Sequence, residues 1–80
     1  MGLMANTGDI NKPAGWLVEE ETRGNPPVKR YFKVYERDEE KAVELARVYG
    51  ATGKARAVKR LNVHELTSDD MRPGDVKQHR

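Results

Sequence analysis

A chain of 80 residues has room for one domain and a modest core. Charged residues make up 35% and apolar residues 36%, wetter than an average globular chain, yet the net charge is only +2. With no cysteine, disulfides, thiolate nucleophiles and cysteine-ligated zinc are excluded.

No stretch joins a basic start to an apolar signal core, and no window approaches the length of a membrane span. The chain is therefore expected to be soluble, unprocessed, cytoplasmic and without a membrane partner. Its charge is unevenly spread. Acids outnumber bases over residues 1–27 (Glu19, Glu20, Glu21) and again over 36–49 (Asp38, Glu39, Glu40, Glu44). Lys29, Arg30 and Lys33 stand in one acid-free run, and Lys54, Arg56, Lys59 and Arg60 in another. That segregation, more than the total, bears on partners.

Residues 1–14 show neither helical nor strand period and are expected to form a disordered leader. A single α+β domain is expected over 15–77, with 78–80 as a disordered tail. Trp16-Leu17-Val18 opens the first strand material, with Trp16, Val18 and Glu20 on one side and Leu17, Glu19 and Glu21 on the other. Trp16 fits a plug at the core or its edge. Thr22 to Pro27 is a turn cluster suited to a hairpin loop.

Val28 to Tyr35 reads as the strongest strand. Val28, Arg30, Phe32 and Val34 share one face; Lys29, Tyr31, Lys33 and Tyr35 share the other. Asp38 then predicts a helix N-cap, with Glu39 and Glu40 in the first turn where the helix dipole favours acids. Ala42, Leu45, Ala46 and Tyr49 recur at helical spacing, flanked by Val43 and Val48, and Gly50 stops the helix.

Gly53-Lys54 superficially suggests a phosphate loop. Such a loop needs glycine where Val48 stands, Ser or Thr where Ala55 stands, and a strand before it instead of a helix. Residues 55–63 predict a further strand, with a helix as the alternative. As a strand, Ala55, Ala57, Lys59, Leu61 and Val63 share a face opposite Arg56, Val58, Arg60 and Asn62. Thr67 or Ser68 is placed to cap a single turn over Asp69, Asp70 and Met71, and Asp75-Val76-Lys77 can form a terminal strand with Val76 inward.

The fold class that follows is α+β. A small mixed sheet of three to four strands carries one main amphipathic helix (38–49) on one face, followed by a short C-terminal helical turn.

Neither His64 nor His79 has a ligand-like or catalytic partner at suitable spacing, and the adjacent Asp69 and Asp70 point apart on any helical turn. No catalytic, cofactor or metal site is expected, and the chain is read as a non-enzymatic binding domain. Its candidate surface is the sheet face away from the helix: Lys29, Tyr31, Lys33 and Tyr35, joined by Lys54, Arg56 and Arg60. Basic groups interleaved with aromatics suit a nucleic-acid partner, the cations on phosphates and the rings on bases. A protein partner or a homodimer using the same open face is the alternative, since a sheet covered on one side leaves the other to be filled.

Overall fold

The computed structural model describes residues 12–51 and 53–79. Strands β1 (Pro13–Glu21) and β2 (Lys29–Val34) form a hairpin, followed by helix α1 (Glu39–Tyr49), strand β3 (Lys54–Asn62), helix α2 (Val63–Thr67) and strand β4 (Val76–His79). The sheet order is β3-β1-β2-β4, and every neighbouring pair is antiparallel. The expected mixed sheet is thus corrected. β2 and β3 do run in the same direction, as a strand–helix–strand crossover requires, but β1 sits between them and opposes both.

Strand ends also differ from expectation. Pro13 and Ala14 belong to β1 instead of a leader, and Gln78 and His79 belong to β4 instead of a tail. Both ends are tied by pairing: Pro13 opposes Asn62, Val63 N–H donates to the Lys12 carbonyl, and Gln78 and His79 oppose Phe32 and Tyr31. Residues 1–11 of the expected leader lie outside the described residues.

The faces of β1 and β2 follow the period of two. Trp16, Val18 and Glu20 oppose Val34, Phe32 and Arg30, and this side meets α1. Val18, Phe32, Val34, Ala42, Ala46 and Ala51 make the first core cluster, with Trp16, Val43, Leu45, Ala55 and Val76 packed on it. The small Ala42 and Ala46 bring the helix backbone close to the strands, and both are fully buried. Asp38 caps the helix by accepting from Lys41 N–H at 3.1 Å. Tyr49 lays an edge against Phe32, with centroids 5.9 Å apart at 76°. Val48 does not widen the core stripe: it lies about 140° around the helix from the Ala42–Ala46 centre and is 86% exposed.

A second cluster lies on the opposite face. Ala14, Leu61, Leu66 and Met71 are buried there, with Leu17, Tyr35 and Val63 against them. Leu66 comes from α2, so the C-terminal helix precedes the turn expected at Asp69–Met71. Its N-cap is Asn62, whose Oδ1 accepts from Glu65 N–H at 2.8 Å while Glu65 Oε1 accepts from Asn62 N–H at 3.2 Å. This reciprocal pair is a capping box. Ser68 to Met71 then fold back, Met71 N–H reaching the Leu66 carbonyl at 3.2 Å. Gly15 permits the close approach of the layers, because a Cβ there would fall on the Val34 carbonyl oxygen and 2.9 Å from Leu66 Cδ1.

β3 departs from simple alternation. Ala57 opposes Val18 while Lys59 opposes Leu17, which leaves Val58 as an extra, bulged residue. One inserted residue reverses the facing of everything after it. Ala55 and Ala57 therefore face α1, but Leu61 belongs to the second cluster, and Arg56 and Arg60 lie on opposite faces. The single face expected for Ala55, Ala57, Lys59 and Leu61 is corrected accordingly.

Candidate functional site

The sheet face turned away from α1 is open at one end only. At the Leu17–Tyr35 end it is covered by α2 and the residues after it, and Tyr35 packs into that cluster. Tyr35 is further held by its backbone, accepting from Gly74 N–H at 2.8 Å and donating to the Asp75 carbonyl at 2.9 Å. Lys33 Nζ lies 2.6 Å from Asp69 Oδ2, with only 18% of its side chain exposed. Lys77 Nζ donates to the Asp69 backbone carbonyl at 3.3 Å. Lys33 and Tyr35 thus fasten the C-terminal segment to the sheet.

Toward the other end of the face, Glu19 gathers the groups around it. It accepts a hydrogen bond from the Tyr31 hydroxyl at 3.1 Å, and it faces Arg56 Nε at 3.4 Å and Lys29 Nζ at 3.9 Å. The register explains the grouping, since Glu19 opposes Tyr31 on one side and Arg56 on the other. Arg60 does not join them. Its guanidinium stacks over the Trp16 ring on the α1 face, 4.9 Å from the centroid, while Trp16 Nε1 donates to the Arg37 carbonyl at 3.0 Å. Of the residues expected to share a binding surface, Lys29, Tyr31 and Arg56 are brought together and Lys54 stands beside them. Lys33, Tyr35 and Arg60 are not.

Two residues absent from the expected set complete the cationic end. A groove of about 580 Å³ is lined by Thr22, Arg23, Arg47, Gly53 and Lys54. It adjoins a second groove, of about 500 Å³, lined by Lys29, Arg47, Lys54, Ala55 and Arg56 with Glu19 and Glu21. Arg23 comes from the hairpin loop, Arg47 from the last turn of α1, and Lys54 from the first position of β3. Their meeting depends on the crossover that returns the chain from α1 to the edge of β1, so no local pattern announces it. Among the described residues none of the three forms an ion pair, whereas Lys29, Arg30, Lys33, Arg56 and Lys59 all do.

The floor beneath this end is braced by a buried carboxylate. Glu20 is completely buried, accepts from Gly53 N–H at 2.7 Å, and sits 2.6 Å from the Arg30 guanidinium. Arg30 in turn reaches the Gly50 carbonyl at 3.4 Å and lies over Phe32, 5.7 Å from its centroid. The pair therefore ties the turn after α1 to the hairpin. The Asp69 carboxyl is held below its usual range. The cause is first the Lys33 hydrogen bond, then the charges of Lys33, Lys77 and His79, acting against partial desolvation.

His64 is exposed on α2 and His79 on β4. Among the described residues, no group of three or more His, Cys, Asp or Glu side chains is arranged to hold a metal ion. Among them too, no helix is long and apolar enough to cross a membrane. No protein-family model matches the chain, and no curated protein or solved structure is significantly similar to it.

Proposed function

We propose that the chain is a non-enzymatic domain that holds the phosphate backbone of nucleic acid against the flank formed by β3 and the adjoining turn end of the sheet. The observation that carries this reading is the cationic edge of β3. Lys54, Arg56 and Lys59 oppose Glu21, Glu19 and Leu17 and so lie along one side of the strand. Arg56 and Lys59 are 75% and 64% exposed. At about 3.4 Å per residue the row spans roughly 14 Å, enough to meet about two or three successive phosphates. Lys29 lies alongside, and Arg23 and Arg47 extend the row at its Lys54 end.

Base recognition is not part of this proposal. Tyr35 is packed under the C-terminal segment and the Tyr31 hydroxyl is held by Glu19, so the pair of rings does not form a joint stacking platform. Binding should be phosphate-directed and indifferent to sequence. The homodimer and protein-partner alternative is left with the charged half of that face, and the β3 edge carries cations and a bulge, both of which obstruct strand-to-strand pairing.

Fluorescence anisotropy with labelled 20-mers tests the proposal. Single-stranded DNA, RNA and duplex should all bind at micromolar concentration in about 20 mM salt and weaken steeply toward about 200 mM, with log K falling roughly two to three units per decade of salt for about three neutralised phosphates. Absence of binding below about 100 μM in low salt would reject it.

A further inference from the structure

We infer that the Arg23–Arg47–Lys54 groove is a seat for one dianionic phosphate monoester, of the kind carried at the phosphorylated end of an oligonucleotide. This deepens the nucleic-acid reading and, for its biological ligand, rests on it. The three cations come from separate segments and line one concavity to which, among the described residues, no carboxylate contributes. Elsewhere along the sheet Glu19, Glu20, Asp69 and Glu65 each meet a basic side chain. Glu21, opposite Lys54, and Glu19 line only the adjoining groove and, among the described residues, form no ion pair with Arg23, Arg47 or Lys54, so three like charges face a shared space.

The backbone beneath them is fixed. Thr22 N–H and hydroxyl both donate to the Val28 carbonyl, at 2.9 and 3.1 Å, and close the hairpin loop before Arg23. Gly53 is pinned by the Glu20 carboxylate at 2.7 Å, immediately before Lys54. Gly50 and Ala51 N–H groups both donate to the Ala46 carbonyl, at 3.1 and 2.9 Å, and close the helix end that carries Arg47. Long side chains thus rise from anchored positions, which limits the ordering cost of clamping an anion.

Charge selects the ligand class. A backbone phosphodiester brings one negative charge, whereas a monoester brings close to two above its second ionisation near pH 6. Two guanidiniums and an ammonium suit the latter, and the guanidiniums can each present paired N–H groups to its oxygens. A volume of about 580 Å³ leaves room for the sugar that bears the phosphate.

The test compares two 10-mers of one sequence, with a 5′-phosphate or a 5′-hydroxyl, binding to the full chain at pH 7.5. The phosphorylated strand should bind at least about tenfold tighter, a preference lost in Arg47→Gln, whose side chain is exposed and whose fold is checked by circular dichroism. Inorganic phosphate should shift the Gly53 amide and Arg47 Nε–H resonances of the wild type and leave those of Asp38 unmoved. Equal affinity for the two strands, with salt-dependent binding of both, would remove the seat and leave the backbone reading standing. Phosphate shifts at Gly53 with no binding of either strand would keep the seat and remove the nucleic-acid reading. A preference that survives Arg47→Gln also overturns the assignment.

Discussion

The Lys33 ammonium lies 2.6 Å from the Asp69 carboxylate and fastens the segment after α2 to the sheet. The same contact removes a lysine from the surface and closes half of a face that would otherwise be open. A strand residue is here joined to one 36 positions later.

That bridge should be visible in acid. Asp69 is held below its usual range, so its folded-state pKa is lower than its unfolded one. Such a group contributes stability that is fully present above the ordinary aspartate range, near 4, and is lost as pH falls through the folded value. Asp69→Asn should therefore melt below wild type at pH 7, and the gap should close as pH falls below the ordinary aspartate range. Thermal melts by circular dichroism at steps between pH 7 and 2 check this; a gap that stays constant across the series would count against the bridge.

The brace under the groove should be costly to remove. Glu20→Ala strips the acceptor from Gly53 N–H and leaves Arg30 without its buried partner. Arg30 keeps 35% of its side chain in solvent, which softens the penalty. A loss of about 2 kcal/mol is expected, below the usual range for breaking a fully buried pair. Urea denaturation measures it, and a loss under about 0.5 kcal/mol would show that the pair does not brace the turn.

Much of the fold was legible locally. Asp38, the Ala42–Ala46 spacing and Gly50 mark α1 without help from tertiary structure, and the alternation in β2 assigns its two faces. The bulge at Val58 was not legible, because Ala57, Val58 and Lys59 alternate no differently from an unbroken strand, and that one residue sends Arg60 to the opposite face. The α2 cap was written in the sequence as Asn62 and Glu65, but it overlaps the end of a strand pattern, and the hydroxyls at Thr67 and Ser68 offered a competing start. The cover over Tyr35 and the meeting of Arg23 with Arg47 depend on long-range packing, and nothing within one element predicts either.

Arg60 supplies a check on the bulge. Its guanidinium lies over Trp16, so Arg60→Ala should change the emission of the lone tryptophan and cost about 0.5–1 kcal/mol of stability. It should weaken nucleic-acid binding less than twofold. If emission is unmoved and binding falls about as much as in Arg56→Ala, Arg60 lies with the β3 cations and the register is wrong.

Glu19 should act as an internal competitor. It engages Arg56, Lys29 and Tyr31, so Glu19→Gln should tighten oligonucleotide binding about threefold to tenfold at low salt by releasing cations toward phosphate. Anisotropy titrations at about 20 mM salt give the answer, and a weakened or unchanged affinity in a folded variant would refute the competition.

The most direct measurement of the central claim is a charge-reversal comparison at equal net charge. Arg47→Glu with Lys54→Glu reverses two cations at the groove, and Lys41→Glu with Arg72→Glu reverses two exposed cations outside its lining. Both double variants carry the same change in total charge. If the flank of β3 and its turn end hold the phosphates, the first should lose oligonucleotide affinity at least about thirtyfold at low salt and the second no more than about threefold. Equal losses in the two would mean that the attraction belongs to the molecule's total charge and not to this flank.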